Sequence, residues 1–274
     1  MAEELESLCQ HLSLSEKESC EIHVDSTVLE PNIARGERCL LMTLLTDRYY
    51  NREALKSMMK KVWQPIHKVS FKELGSKLIL VEFADDHDKQ RVLREGPCSF
   101  DRNLVLMKCL EGDRQVTKIR LSEASFWIRM YEMPLNAMNE EVGRIIGNKI
   151  GFVEEVDEEQ GEAAWGEFMR IRVRMDISQP LMRGVRVKLG QYGICWIRFA
   201  YERLPNFCYW CGKLGHQFKD CEGVGHQEIR ASANLPFGAW LLAGSLMGSG
   251  EKNVGIQTFV HRNSSPEAPL ESEK

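Results

Sequence analysis

The sequence has no excess of positive charge: 36 Lys and Arg stand against 40 Asp and Glu, a formal net charge of −4. A chain that coats nucleic acid indiscriminately needs the opposite sign, so any contact with a polyanion must come from a local concentration of cations. Long apolar runs are also missing. The most apolar late stretch, LPFGAWLLAGSLMG, is broken by glycine and falls short of the ~20 residues that a bilayer requires. The start, MAEELESLCQ, is acidic, where a targeting peptide is basic and then apolar. There is no glycine-rich phosphate loop, no H-E-x-x-H pair and no nucleophile constellation, which removes the commonest marks of phosphoryl transfer, zinc proteolysis and covalent catalysis.

What is present suits a folded chain. With 43% hydrophobic and 28% charged residues over 274 positions, it can form one large or two modest domains with real cores. Nine cysteines are an odd number, and in a reducing compartment they read as buried thiols or metal ligands. Cys39, Cys109 and Cys195 sit in apolar runs and are expected in cores. The charge is uneven. Met1–Glu30 holds eight acids and one base, whereas Trp165–Leu204 holds eight bases and three acids. That basic stretch is either a polyanion contact or the solvated face of a strand.

Periodicity orders the chain. Leu5, Leu8, Cys9 and Leu12 recur at helical spacing in an acidic segment. RCLLMTLLT reads as a strand, and NREALKSMMKKVW as a helix capped by Asn51 with Leu55, Met58, Met59 and Val62 inward. HKVSFKEL and KLILVEF read as a hairpin around Gly75. DDHDKQRVLREG reads as a helix with acids in its first turn and Gly96 after its last, and NLVLMKCL as a strand. The order β-α-β-β-α-β is the split β-α-β arrangement of ferredoxin-like and RNA-recognition-motif folds. RNA-recognition motifs stack bases on aromatics of the open sheet. Here Leu78 and Leu80 take those positions, so the first domain is expected to lack that mode.

NEEVGRIIGNKIG then reads as a helix with Val142, Ile145 and Ile146 inward. Alternation in MRIRVRM sets Arg170, Arg172 and Arg174 on one face of a strand and Met169, Ile171, Val173 and Met175 on the other. The expected fold class is α+β. The segments are an acidic N-terminal stretch with a short helix (1–37), an RRM-like domain (38–115), a second α+β unit with basic strands (116–204), a metal loop (205–224) and a largely disordered tail (225–274).

The metal loop is FCYWCGKLGHQFKDC. Cys208, Cys211, His216 and Cys221 follow C-x2-C-x4-H-x4-C, three thiolates and one imidazole that close a tetrahedral Zn²⁺ site. Gly212 and Gly215 fall where the chain must turn tightly around the ion. With all four positions held by protein, the metal is expected to be structural and single, not catalytic.

CYWCGKLGHQFKDC resembles the zinc knuckles of retroviral nucleocapsid proteins, which grip single-stranded nucleic acid by stacking a base on an aromatic. That resemblance implies Tyr209 and Phe218 as the platform and Lys213 and Lys219 as phosphate neighbours; the bland reading is that the two rings merely cover the loop. YNREALKSMMKKVW, RVLREGPCSF and RGVRVKLGQYGICWIRFAYERLPNFCYWCGKLGH together resemble a plant family: a domain of unknown function of LINE-type retrotransposon proteins followed by a Cys-Cys-His-Cys knuckle. The resemblance runs from about Arg38 to Gly244. It departs at Cys98, where the family has Trp, and at WLLAG, which lacks the family's Arg.

The expectation is a zinc-dependent, non-enzymatic protein that binds single-stranded RNA or DNA with low sequence specificity. Its knuckle would be aided by Arg170, Arg172, Arg174, Arg183, Arg186 and Lys188, with protein partners or self-association adding avidity. No membrane and no small-molecule substrate is expected. The alternative is a protein-interaction module that uses the knuckle and the aromatic-poor sheet. The expected location is intracellular, nuclear or cytoplasmic, with the nucleus favoured.

Overall fold

The computed structural model describes residues 15, 17, 18, 20–75, 77–110, 115, 118–157, 166–190, 193–222 and 235–244. The helix expected over Leu5–Leu12 lies outside them. The chain forms two compact units that divide between Ala124 and Ser125.

In the first unit, α1 (Ser26–Glu37) is capped by Asp25, whose carboxylate accepts from the Thr27 N–H at 2.9 Å. It leads into β1 (Cys39–Leu44). α2 (Arg52–Trp63) starts at Asn51, whose side chain accepts from the Ala54 N–H at 3.1 Å, the cap expected of it. β2 (Val69–Leu74), β3 (Leu78–Phe83), α3 (Asp86–Glu95), β4 (Cys98–Phe100) and β5 (Asn103–Cys109) follow. The strand order is β2-β3-β1-β5-β4, the expected split β-α-β sheet with one edge strand added. β4 is too short to show a period in sequence; it exists because it pairs with β5.

The inward face of α2 is Leu55, Met59 and Trp63, while Met58 and Val62, expected inside, are 40% and 51% exposed. Trp63 decides the rotation of the helix. Its ring lies 6.0 Å from both Phe71 and Phe83, and its indole N–H donates to Cys98 Sγ at 3.4 Å. Cys98, which stands where the resembled family has Trp, thus accepts that hydrogen bond. α3 ends at Gly96 with φ −61°, not in the left-handed C-cap expected of it. Cys39 is buried as expected, but Cys109, at the end of β5, is exposed. On the sheet face opposite α2 and α3, Cys39, Leu41, Leu104 and Leu106 are buried beside Leu80, so that face carries aliphatic groups. Arg52 and Lys56 on α2 both pair with Glu73.

Asp88 is 2% exposed and joins α3 to the loop before β2, accepting from the N–H groups of Ile66 at 3.1 Å and His67 at 2.8 Å. The His67 N–H, opposed by burial and aided by Ile66 and Arg91, holds this carboxyl at about 2. A carboxyl depressed on folding adds stability above its unfolded value near ~3.9, and loses it as pH falls towards the folded one. Asp88→Asn is therefore expected to lower the urea midpoint clearly above pH 4, with the gap from the parent protein closing towards pH 2; a gap that stays constant over that range refutes the assignment.

The second unit contains β6 (Glu123–Tyr131), α4 (Glu140–Gly147), β7 (Phe152–Val156), β8 (Phe168–Asp176), β9 (Gly184–Lys188) and β10 (Ile194–Tyr201). Its order, β7-β8-β6-β10-β9, repeats that of the first sheet strand for strand. α4 lies on the sheet through Gly143, Ile146 and Gly147. A Cβ at Gly147 would stand 2.5 Å from Val153 and 2.9 Å from Ile171, so glycine permits the close approach and turns Ile145, expected inside, 61% exposed.

The repeat lacks one part. Where α3 joins β3 to β4, only Ile177–Arg183 joins β8 to β9. The chain after β10 closes the core instead. Leu204, Phe207, Leu214 and Leu241 are buried together with Ile177 and Leu181. The Leu181 N–H donates to Gly212 O at 2.9 Å, and Tyr201 Oη donates to Met182 O at 2.8 Å. Residues 235–244, placed by sequence in a disordered tail, are docked here. Leu242 bridges Tyr201, and the Ala243 N–H donates to Tyr201 O at 2.9 Å. The expected boundary between 116–204 and 205–224 is thus absent, because the metal loop supplies part of the core of the second unit.

Candidate metal centre and adjoining basic face

The loop from Phe207 to Cys221 is held by its backbone. Phe207 bridges Leu214, the Cys208 N–H donates to Lys213 O at 2.8 Å, and the Gly212 N–H donates to Cys208 O at 2.9 Å. Gly212 has φ +74° and Gly215 φ +90°, the left-handed region where only glycine is unstrained. At Gly212 a side chain is barred twice, since a Cβ would lie 2.4 Å from the Phe237 ring.

This turn brings Cys208, Cys211, His216 and Cys221 together, one ligand atom from each within 4.8 Å of all the others. Cys211 Sγ and His216 Nε2 are 3.3 Å apart. A tetrahedral zinc with bonds of about 2.3 Å to sulfur and 2.0–2.1 Å to nitrogen needs edges of roughly 3.5–3.8 Å, so the donor set fits one ion. Burial pushes the Cys208 thiol up to about 12, and a buried thiolate at neutral pH therefore needs a cation beside it. The site is a Cys-Cys-His-Cys knuckle suited to one zinc ion.

Around it, Lys213 and Lys219 are exposed, and Tyr209, Trp210 and Phe218 are half-buried. Tyr209 packs on Phe207 with ring centroids 4.9 Å apart, and its carbonyl accepts from the Phe237 N–H at 3.1 Å.

The arginines behave differently from one another. Arg170, Arg172 and Arg174 share the sheet face opposite Ile171 and Val173, as the alternation requires. Arg170 pairs with Glu202 and Asp157, both at 2.9 Å. Arg172, 6% exposed, pairs with Glu154 at 3.1 Å. Arg174 is exposed and lies 3.8 Å from Glu154. Burial raises the Glu202 carboxyl, but hydrogen bonds from Arg170 and Arg129 outweigh it and hold the group below the ordinary range. Arg170 and Arg172 are thus engaged internally. Arg183 is exposed, donates to Pro236 O at 3.2 Å and lies 5.6 Å from the Phe237 ring. Arg186 and Lys188 on β9 are exposed, and no acidic side chain pairs with either among the described residues.

The same face also carries aromatics that spacing alone did not single out. Arg170 lies 3.8 Å over Trp127, Arg129 4.5 Å over Phe168, Arg174 4.9 Å over Phe152 and Arg198 4.2 Å over Tyr131. The signal was available in SFWIRMY and CWIRFAY, where period two puts Trp127, Arg129 and Tyr131, and likewise Trp196 and Arg198, on one side.

Residues 32–117 match the family model described as Domain of unknown function (DUF4283), and residues 175–223 match the one described as Zinc knuckle. The chain thus carries a DUF4283 domain followed by a Cys-Cys-His-Cys knuckle. The knuckle match takes in β9 and β10, the strands that the metal loop supports. A relative in Arabidopsis thaliana, Uncharacterized protein At4g02000, is 26% identical over 134 residues, 49% of this chain and 42% of that protein; the chain spans less than half of its length. Two solved yeast structures are similar. One is the N-terminal three RNA binding domains of the splicing factor Prp24, at 14% identity and TM-score 0.22, covering 49% of this chain and 53% of that one. The other is the first two RRM domains of the Poly(U) Binding Protein Pub1, at 14% identity and TM-score 0.22, covering 60% of this chain and 98% of that one.

Proposed function

We propose that this chain is a zinc-dependent protein that binds single-stranded RNA or DNA with low sequence specificity, is not an enzyme and descends from a retrotransposon of the LINE type. The observation that carries the reading is the closed four-ligand knuckle, with the rings of Tyr209 and Phe218 half open to solvent beside the exposed cations Lys213 and Lys219. Metal shapes the loop, the rings take an unpaired base, and the lysines and Arg183 take phosphates. Few phosphates are neutralised, so affinity is modest and falls with salt at a log–log slope of ~0.7 per phosphate on a single strand. No described helix is long and apolar enough to cross a membrane, and the proposed location is intracellular, with the nucleus favoured.

Fluorescence anisotropy with a labelled single-stranded oligonucleotide tests this. Tyr209→Ala and Phe218→Ala are each expected to weaken binding by ~1–3 kcal/mol, the value of a base stacked on an aromatic, and chelation is expected to remove the knuckle contribution altogether. Affinity indifferent to all three changes refutes the reading. A protein-partner role has one observation in its favour: α1 leaves Val28, Leu29 and Ile33 65%, 48% and 58% exposed. Sedimentation of the parent protein beside Leu29→Ser/Ile33→Ser tests it, with loss of self-association in the variant as the supporting result.

A further inference from the structure

We propose that the outer face of β9 and β10 is a second, zinc-independent site for single-stranded nucleic acid, with Trp196 as its base-stacking residue and Arg186 and Lys188 as its phosphate contacts. This rests on the reading above only in the class of ligand.

Register builds the site. Trp196 pairs with Arg186, Ile194 with Lys188, and Arg198 with Gly184, and residues paired across antiparallel strands point to the same face. That face is opposite the buried Ile197 and Phe199. Gly184 makes the platform, because a Cβ there would stand 2.6 Å from Trp196 Cζ2 and 2.7 Å from Cε2. The indole therefore lies across the bare glycine backbone. Trp196 remains 40% exposed and Ile194 60%, so two large apolar side chains stand open side by side on this face.

Across the same sheet the other rings are already covered. Trp127, Phe168, Phe152 and Tyr131 each have an internal arginine over them. No such cation lies over Trp196 among the described residues. Its flanking cations are also the ones without an acidic partner among those residues, whereas Arg129, Arg170, Arg172 and Arg174 are paired with Glu202, Asp157 or Glu154. An open indole at the end of a row of two unneutralised cations, Arg186 beside it and Lys188 one step further along β9, suits a ligand with a flat π face and phosphates running away from it, which is what an unstacked nucleotide in a single strand presents. A duplex hides its base faces, and an acidic peptide offers none.

The test uses the full chain, zinc-loaded, with a labelled single-stranded oligonucleotide. Trp196→Ala is expected to weaken binding about 5- to 150-fold, and Trp196→Phe, which keeps a ring, to restore most of it. Arg186→Gln/Lys188→Gln is expected to lower the log–log salt slope by about 1.4, two phosphates at ~0.7 each. Zinc stoichiometry should be unchanged in all of them. If Trp196→Ala binds like the parent while Tyr209→Ala does not, this site is refuted and the knuckle reading stands. If Trp196→Ala weakens binding with or without chelator while Tyr209→Ala has no effect, this site stands and the knuckle reading fails. If Trp196→Ala changes only sedimentation behaviour, the face joins copies of the chain and the proposal is overturned.

Discussion

Removing the metal is expected to unfold the knuckle and to loosen the second sheet with it. Zinc binding to peptides of this size contributes on the order of 10 kcal/mol of apparent folding free energy at neutral pH. In a tethered knuckle that loss would stay local. Here the loop forms part of a core: Phe207, Leu214 and Leu204 are buried, Gly212 O accepts from Leu181, and Tyr209 O accepts from Phe237. Those acceptors exist only while the turn between Cys208 and His216 is held. Hydrogen exchange should therefore show the amides of Leu181, Phe237 and Ala243 losing protection on chelation, while those of β1 and β3 keep theirs. Cys208→Ser and Cys221→Ser should do the same without a chelator. Full protection of Leu181 and Phe237 in zinc-free protein would show that the loop is an appendage after all.

The second large effect belongs to the other unit. Trp63→Ala empties the centre of the first core, where the indole meets Phe71, Phe83 and Cys98. Truncating a buried Trp costs about 3–5 kcal/mol, through lost transfer energy and the cavity left behind. Because Trp63 is 2% exposed, little of this can be recovered by water. Thermal unfolding of the variant should show the first unit melting earlier, with zinc content at one per chain. A variant that unfolds like the parent would mean that the core collapses around the gap, and Trp63 would lose its place as the residue that orients α2.

Local rules carried much of the fold. Asn51 caps α2 because a short side-chain amide can reach the free N–H of Ala54. Gly75 turns the β2–β3 hairpin at φ +73°. Period two in MRIRVRM was enough to put the arginines on the face of β8 opposite Ile171 and Val173, and the spacing of three cysteines and a histidine was enough to name the metal. These features depend on neighbours a few residues away, so the order of residues determines them.

Three matters were decided only by tertiary structure. One is the rotation of α2 and α4: Leu55-Met59-Trp63 and Gly143-Gly147 face inward because a large ring fits one core and bare backbone fits the other sheet, which hydropathy does not rank. Another is the availability of the arginines. Arg170 and Arg172 look as basic in sequence as Arg186, yet Glu154 on the neighbouring β7, Asp157 just after it and Glu202 just after β10 reach the first two, and charge in a string of letters carries no record of its partners. The last is the platform at Trp196, which needs Gly184 from another strand beneath it. Short-range pattern wrote the elements and the zinc ligands of this protein; pairing across strands chose which of its charges and rings remain open to a ligand.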